Sequence, residues 1–143
     1  MIHTYRIFPE YKLIVDYWEG DLTIEGIISA KEKQSQDPCF DPDYHVIADV
    51  RKVFHTANRG DISYFTKYIE NNPKWIRDRK SAHITSTPNH LVFNVILDMK
   101  LDDTNPLQIK PFSTVSTALQ WLGLHQLGED FIESTFKELS KVQ

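Results

Sequence analysis

Asp49 and Arg51 stand two residues apart at the end of an apolar run, Val46-Ile47-Ala48. In an extended chain such residues face the same side, so a carboxylate and a guanidinium here could work as an acid beside an anion clamp. They could equally pair with each other, and that is the simpler reading. A strand covered on both faces does not keep unpaired charges inside, so the strand is expected to emerge at this pair. A polar loop then leads to Asn58-Arg59-Gly60-Asp61, where a helix should begin. Strand exits of this kind are where open α/β sheets bind ligands. Thr56, Arg59, Asp61 and Ser63 therefore join Asp49 and Arg51 as candidate residues for a ligand or partner, and Thr87 and Ser113 mark two further exits. Each exit offers unpaired backbone N–H groups at a helix start, which favour an anion. Capping alone accounts for Thr87 and Ser113, so the hydroxyls by themselves name no ligand.

Other reactive groups form no recognisable constellation. The histidines show neither His-x-His nor His-x₃-His spacing, so no metal site is expected. Cys39 is the sole cysteine and sits in a loop flanked by Pro38 and Pro42, which rules out an internal disulfide. No Gly-x-Ser-x-Gly elbow and no glycine-rich phosphate loop occurs. We therefore expect no catalytic residue and no cofactor. Tyr64, Tyr68 and Trp75 cluster around the helix after the central strand. A core margin or a dimer contact is the first reading, and one wall of an apolar pocket, with Phe65 and Phe93, is the second.

Composition narrows the class. With 143 residues the chain is expected to form one domain, large enough to bury roughly 68–70% of its unfolded surface. A net charge of −4 leaves no basic excess to neutralise phosphates, so no nucleic-acid partner is expected. No apolar run approaches the roughly 18 residues that a membrane span needs, and the N-terminus has no apolar signal-like region. The expectation is a cytoplasmic protein.

These residues must be positioned by elements that the patterning marks. Residues 3–8 alternate weakly, turn at Pro9-Glu10, and lead into a strand from Tyr11 to Trp18. In that strand Leu13, Val15 and Tyr17 face one way and Ile14 and Trp18 the other, which gives an opening hairpin. Gly20-Asp21 should end it, and Asp21 or Thr23 should cap a helix over about 22–36. The central strand, Tyr44 to Val50, follows the Pro38–Pro42 loop. Ile62, Phe65 and Ile69 place a helix after it that stops before Asn71-Asn72-Pro73. A short strand over 81–86 leads to Thr87-Pro88, a helix start, with Leu91, Val95 and Met99 on its apolar face. A last strand over 107–112 ends at Ser113, the expected cap of a helix with Val115, Ala118, Leu119 and Leu122, closed by Gly123. A final helix over about 129–141 shows Phe131, Ile132, Phe136 and Leu139.

In this order the chain resembles the SpoIIAA-like, STAS-type family, related in fold to anti-sigma-factor antagonists and more loosely to Sec14-type lipid carriers. The resemblance spans roughly 11–124. It rests on Val15-Asp16-Tyr17-Trp18-Glu19-Gly20-Asp21-Leu22-Thr23, on Asp37-Pro38 and Phe40-Asp41-Pro42 ahead of Val46-Ile47-Ala48-Asp49-Val50-Arg51, and on Phe112-Ser113 leading to Ala118-Leu119-Gln120-Trp121-Leu122-Gly123. The antagonist branch is switched by phosphorylation in an Asp-Ser-Ser-Gly-like turn. Residues 51–63 hold no such tetrad, and Thr56 and Ser63 are the nearest hydroxyls.

The expected fold is α/β: a mixed, mostly parallel sheet of about five strands, opened by an N-terminal hairpin and covered by helices. Residues 1–124 form the STAS-like domain, and 125–143 a C-terminal helix packed on it or on a dimer partner. The function expected first is a non-enzymatic binding or regulatory module that engages a protein partner through the loop and helix over 51–63. The alternative is a carrier of a small apolar or lipid-like ligand. A hydrolase or transferase ranks third, for want of a nucleophile–base pair.

Overall fold

The computed structural model describes residues 1–55, 59–87 and 105–142. Five strands form one sheet in the order β1-β2-β3-β4-β5. They are β1 (Ile2–Phe8), β2 (Leu13–Leu22), β3 (His45–His55), β4 (Lys80–Ile84) and β5 (Gln108–Phe112). β1 runs antiparallel to β2, and β2 through β5 are parallel. This is the mixed, mostly parallel sheet expected from the sequence. The hairpin turns through a 3₁₀ segment, Pro9–Tyr11, and Lys12 closes it in the left-handed region at φ 51°. That conformation costs a non-glycine residue about 1–2 kcal/mol. Two backbone bonds hold it: the Lys12 N–H donates to Pro9 O, and the Lys12 carbonyl accepts from His45 N.

β2 is buried on both faces because its side chains alternate between two apolar layers. Leu13, Val15 and Tyr17 join one core, with Val115, Leu119, Ile132 and Phe136. Ile14 and Trp18 join the other, with Leu22, Ile24 and Ile27. The second layer carries α1 (Ile24–Gln34), whose N-cap is Thr23, with Oγ1 accepting the Gly26 N–H at 3.0 Å. α2 (Arg59–Asn71) contributes Ile62 and Ile69, which pack with Trp75 and Ile109.

Three expectations need correction. β2 does not end at Gly20-Asp21 but runs to Leu22, pairing with the far end of β3. β3 does not emerge at Asp49 and Arg51; it continues to His55. The pairing steps from Tyr17↔Asp49 to Glu19↔Lys52, so β3 holds one extra residue there, a β-bulge. The bulge explains why Val50 and Val53, three apart, both reach the α1-side core. Its loose amide is satisfied locally, since Arg51 N donates to Asp49 Oδ1 at 3.0 Å. Thirdly, Ser113 is not the cap of the helix after β5. That helix, α3 (Val115–Leu122), is capped by Thr114, whose Oγ1 accepts from Thr117 N. Gly123 closes α3 at φ 73°, as its position suggests. The helix expected after Thr87-Pro88, with Phe93, and the loop residue Thr56 lie outside the described residues.

α4 (Glu129–Ser140) lies on the face opposite α1. Ile132, Phe136 and Leu139 pack on Leu13 and Val15, and Thr4 Oγ1 donates to the Leu139 carbonyl at 3.0 Å. Phe131 turns to the edge instead, against the rings of Phe8 and Tyr11. No helix among the described residues is long and apolar enough to cross a membrane. Truncating the buried ring, Phe136→Ala, should cost about 3–5 kcal/mol. Phe131→Ala, one turn away at the surface, should cost clearly less. Urea unfolding midpoints of the two variants check this.

Candidate functional site

On the α4 face, Asp49 and Arg51 meet each other. Arg51 Nε donates to Asp49 Oδ1 at 2.9 Å and Nη2 to Oδ2 at 3.0 Å. The same guanidinium reaches Glu133 of α4 at 2.6 Å and stands over the Phe136 ring. These two carboxylates raise the Arg51 pKa above its already high value. Arg51 is thus fully engaged in tying β3 to α4. The β4 and β5 exits gather nearby: Ser86 Oγ donates to the Arg51 carbonyl, and Thr85 N to the Phe112 carbonyl. Thr87 and Ser113 are exposed at these exits. The exit of β3 lies four residues beyond Arg51, roughly 13 Å along the strand. Arg59 begins α2 there, Asp61 lies in its first turn and Ser63 is half-buried one residue past Ile62. The bulged extension of β3 therefore separates the start of α2 from Asp49 and Arg51.

The opposite face holds a cavity of about 120 Å³ between the sheet, α1 and α2. Its walls are mainly apolar: Trp18, Val46, Ala48 and Val50 from β2 and β3, Ile27 from α1, Phe65 and Ile69 from α2. Trp75, Leu107 and Ile109 continue the lining, which also includes Asp16, Lys31, Tyr68, Arg79, Ser81 and His83. Asp16 is fully buried. Lys31 Nζ donates to its Oδ2 at 2.7 Å, Gln34 Nε2 to its Oδ1 at 2.6 Å, and His3 Nε2 stands 2.9 Å from Oδ1. His3 in turn stacks on Trp18. At the rim, Glu32 of α1 accepts from Tyr68 Oη and from Lys74 Nζ.

Arg79, just before β4, is 5% exposed. Its Nε and Nη2 have no hydrogen-bond partner among the described residues. Burial lowers its pKa to about 10, while the charges of Asp16, Asp43 and Asp41 act the other way, so it keeps its charge at neutral pH. Neither Asp16 nor Arg79 was among the residues the sequence singled out. Asp16 carried a usable signal, a charge inside the apolar run 13–18. Arg79 carried none, because it follows Arg77-Asp78 and precedes Lys80 in what reads as a solvated charge cluster. Of the histidines, His45 accepts the Lys80 N–H on Nδ1, and His83 pairs with Ser81 Oγ.

No family model and no curated protein matches the chain. Among solved structures, the chain is similar to an uncharacterized protein from the DUF3478 family with a SpoIIAA-like fold, from Shewanella loihica PV-4. Identity is 16%, the match covers 77% of this chain and 83% of that one, and the TM-score is 0.49. The fold named for that protein is the one the sequence resembles.

Burial by itself would raise the Asp16 pKa, but Lys31 and His3 outweigh it and hold the carboxyl well below the usual carboxylate range. A depressed folded-state pKa means that the unfolded chain binds the proton more readily. Its contribution is then complete at neutral pH and is lost as the pH falls below about 4. Asp16→Asn should lose about 3–5 kcal/mol at neutral pH, because Lys31 is left without its counter-charge. Its remaining stability should decline less steeply in acid than that of the wild type. Denaturant titrations between pH 7 and pH 3 measure both effects.

Proposed function

We propose that this chain is a non-enzymatic binding domain that carries a small apolar molecule between its sheet and helices α1 and α2. The observation that carries the reading is the cavity. It is a partly open, mainly apolar recess between the sheet and two helices, the kind of concave surface on which small-molecule sites are built. About 120 Å³ is far more than the ~10–15 Å³ that one water requires, and close to the ~150 Å³ of an apolar cavity that accepts benzene. Aromatic and branched aliphatic side chains supply most of the wall, as in small-molecule sites generally. Binding rather than catalysis is favoured because the acid in the wall, Asp16, is already committed to three partners.

A protein-interaction role for residues 51–63, regulatory in kind, is the second reading. It is favoured by Phe54, 71% exposed at the far end of β3, and by Tyr64, exposed on α2. A protein partner or a second copy of the chain would cover them. It ranks second because single exposed aromatics are ordinary and because Arg51 points into its own fold.

The cavity reading is tested with a fluorescent apolar probe and with native mass spectrometry of the purified protein. Saturable probe binding, displaced by small aromatic compounds, is the expected result. Ala48→Leu, which adds bulk to the cavity floor on β3, should weaken binding at least about tenfold while leaving the fold intact, because the added methylenes occupy space the ligand needs. Binding unchanged in Ala48→Leu would place the probe elsewhere and remove the reading.

A further inference from the structure

We infer that Arg79 is the head-group anchor of the cavity and that the molecule carried is a small apolar monoanion, a carboxylic acid with an aromatic or short aliphatic body. This rests on the carrier reading and specifies its ligand. A guanidinium carries donors in a fixed planar fork and cannot lose its charge at neutral pH. Burying one without a partner is strongly unfavourable. Arg79 is 95% buried by its 5% exposure, lines the cavity, and keeps Nε and Nη2 unpaired among the described residues. A carboxylate entering the cavity would meet the same fork geometry that carboxylates meet in bidentate arginine pairs.

The neighbouring acids do not serve. Asp16 is held by His3, Lys31 and Gln34. Asp43 forms a two-pronged pair with Arg77, at 2.8 and 2.9 Å, and Asp41 Oδ1 accepts from Asp43 N. Each lies close enough to bias Arg79 electrostatically, yet none makes a hydrogen bond to it. The charge count of the site favours a single negative charge on the ligand. Among the described lining residues Lys31 is matched to Asp16, and Arg79 is the cation that remains. A dianionic phosphate ester would leave a second charge uncompensated against mainly apolar walls.

The test compares three compounds with the same ring, phenylacetate, phenylacetamide and phenyl phosphate, by calorimetry at pH 7 on the full chain. Phenylacetate should bind at least about tenfold more tightly than its neutral amide, as expected for a hydrogen bond to a charged group, and more tightly than the phosphate. In Arg79→Met the preference for phenylacetate over phenylacetamide should vanish. In the wild type, the Arg79 Nε–H resonance should shift more with phenylacetate than with phenylacetamide, a readout that does not depend on the variant folding. Equal affinity for acid and amide, or a preference that survives Arg79→Met, overturns the inference and leaves the apolar carrier standing. Tighter binding of the phosphate overturns the monoanion assignment. Failure of all three to bind at millimolar concentration removes both the anchor and the carrier reading.

Discussion

The buried carboxylate of Asp16 is the constraint on which the α1 side of the molecule depends. A charge at zero exposure survives only where paired donors replace water. Its partners come from β1 through His3 and from α1 through Lys31 and Gln34. One group thereby fixes the first hairpin and the first helix against the same strand. Both α1 partners, Lys31 and Gln34, lie in the last turn of the helix, so the carboxylate pins that end of α1 to β2. The cavity lies beside this assembly, with Asp16 and Lys31 in its lining.

A second ionic assembly, Asp49–Arg51–Glu133, occupies the other face and has the opposite effect. It draws α4 down onto β3 over Phe136, and the apolar residues around it pack into one continuous core. The two assemblies differ in how their charges are matched. On the α4 face a single guanidinium satisfies two acids, and one of those acids, Asp49, also takes the bulged amide. On the α1 face a carboxylate is satisfied, and Nε and Nη2 of a second cation, Arg79, have no partner among the described residues. That imbalance distinguishes the two faces, one closed by paired charges and one holding a cavity with a buried guanidinium in its wall. A fold alone does not fix a function; the chemistry of a site does.

Much of the architecture was legible in the sequence because it is decided locally. The alternation of Leu13, Val15 and Tyr17 against Ile14 and Trp18 follows from the two-residue period of a strand. Caps such as Thr23 and Gly123 follow from hydroxyl geometry and from the left-handed conformation that glycine accepts. Ile62, Phe65 and Ile69 announced α2 by their spacing alone. The pairing of Asp49 with Arg51 was also within reach, since both lie on one short stretch.

What only the tertiary structure decided depends on groups far apart in the chain. The β-bulge in β3 is a relation between two strands, and no single-strand pattern shows that Asp49 and Arg51 stay inside while the strand runs on. The Asp16 assembly joins residues 13, 15 and 18 positions apart, and α4 reaches Arg51 across 82 positions. A cavity is a property of packing volume, which residue types do not specify. By composition Arg79 belongs to a solvated charge cluster, and only its burial in the folded chain, to 5% exposure, removes the water that would have satisfied it.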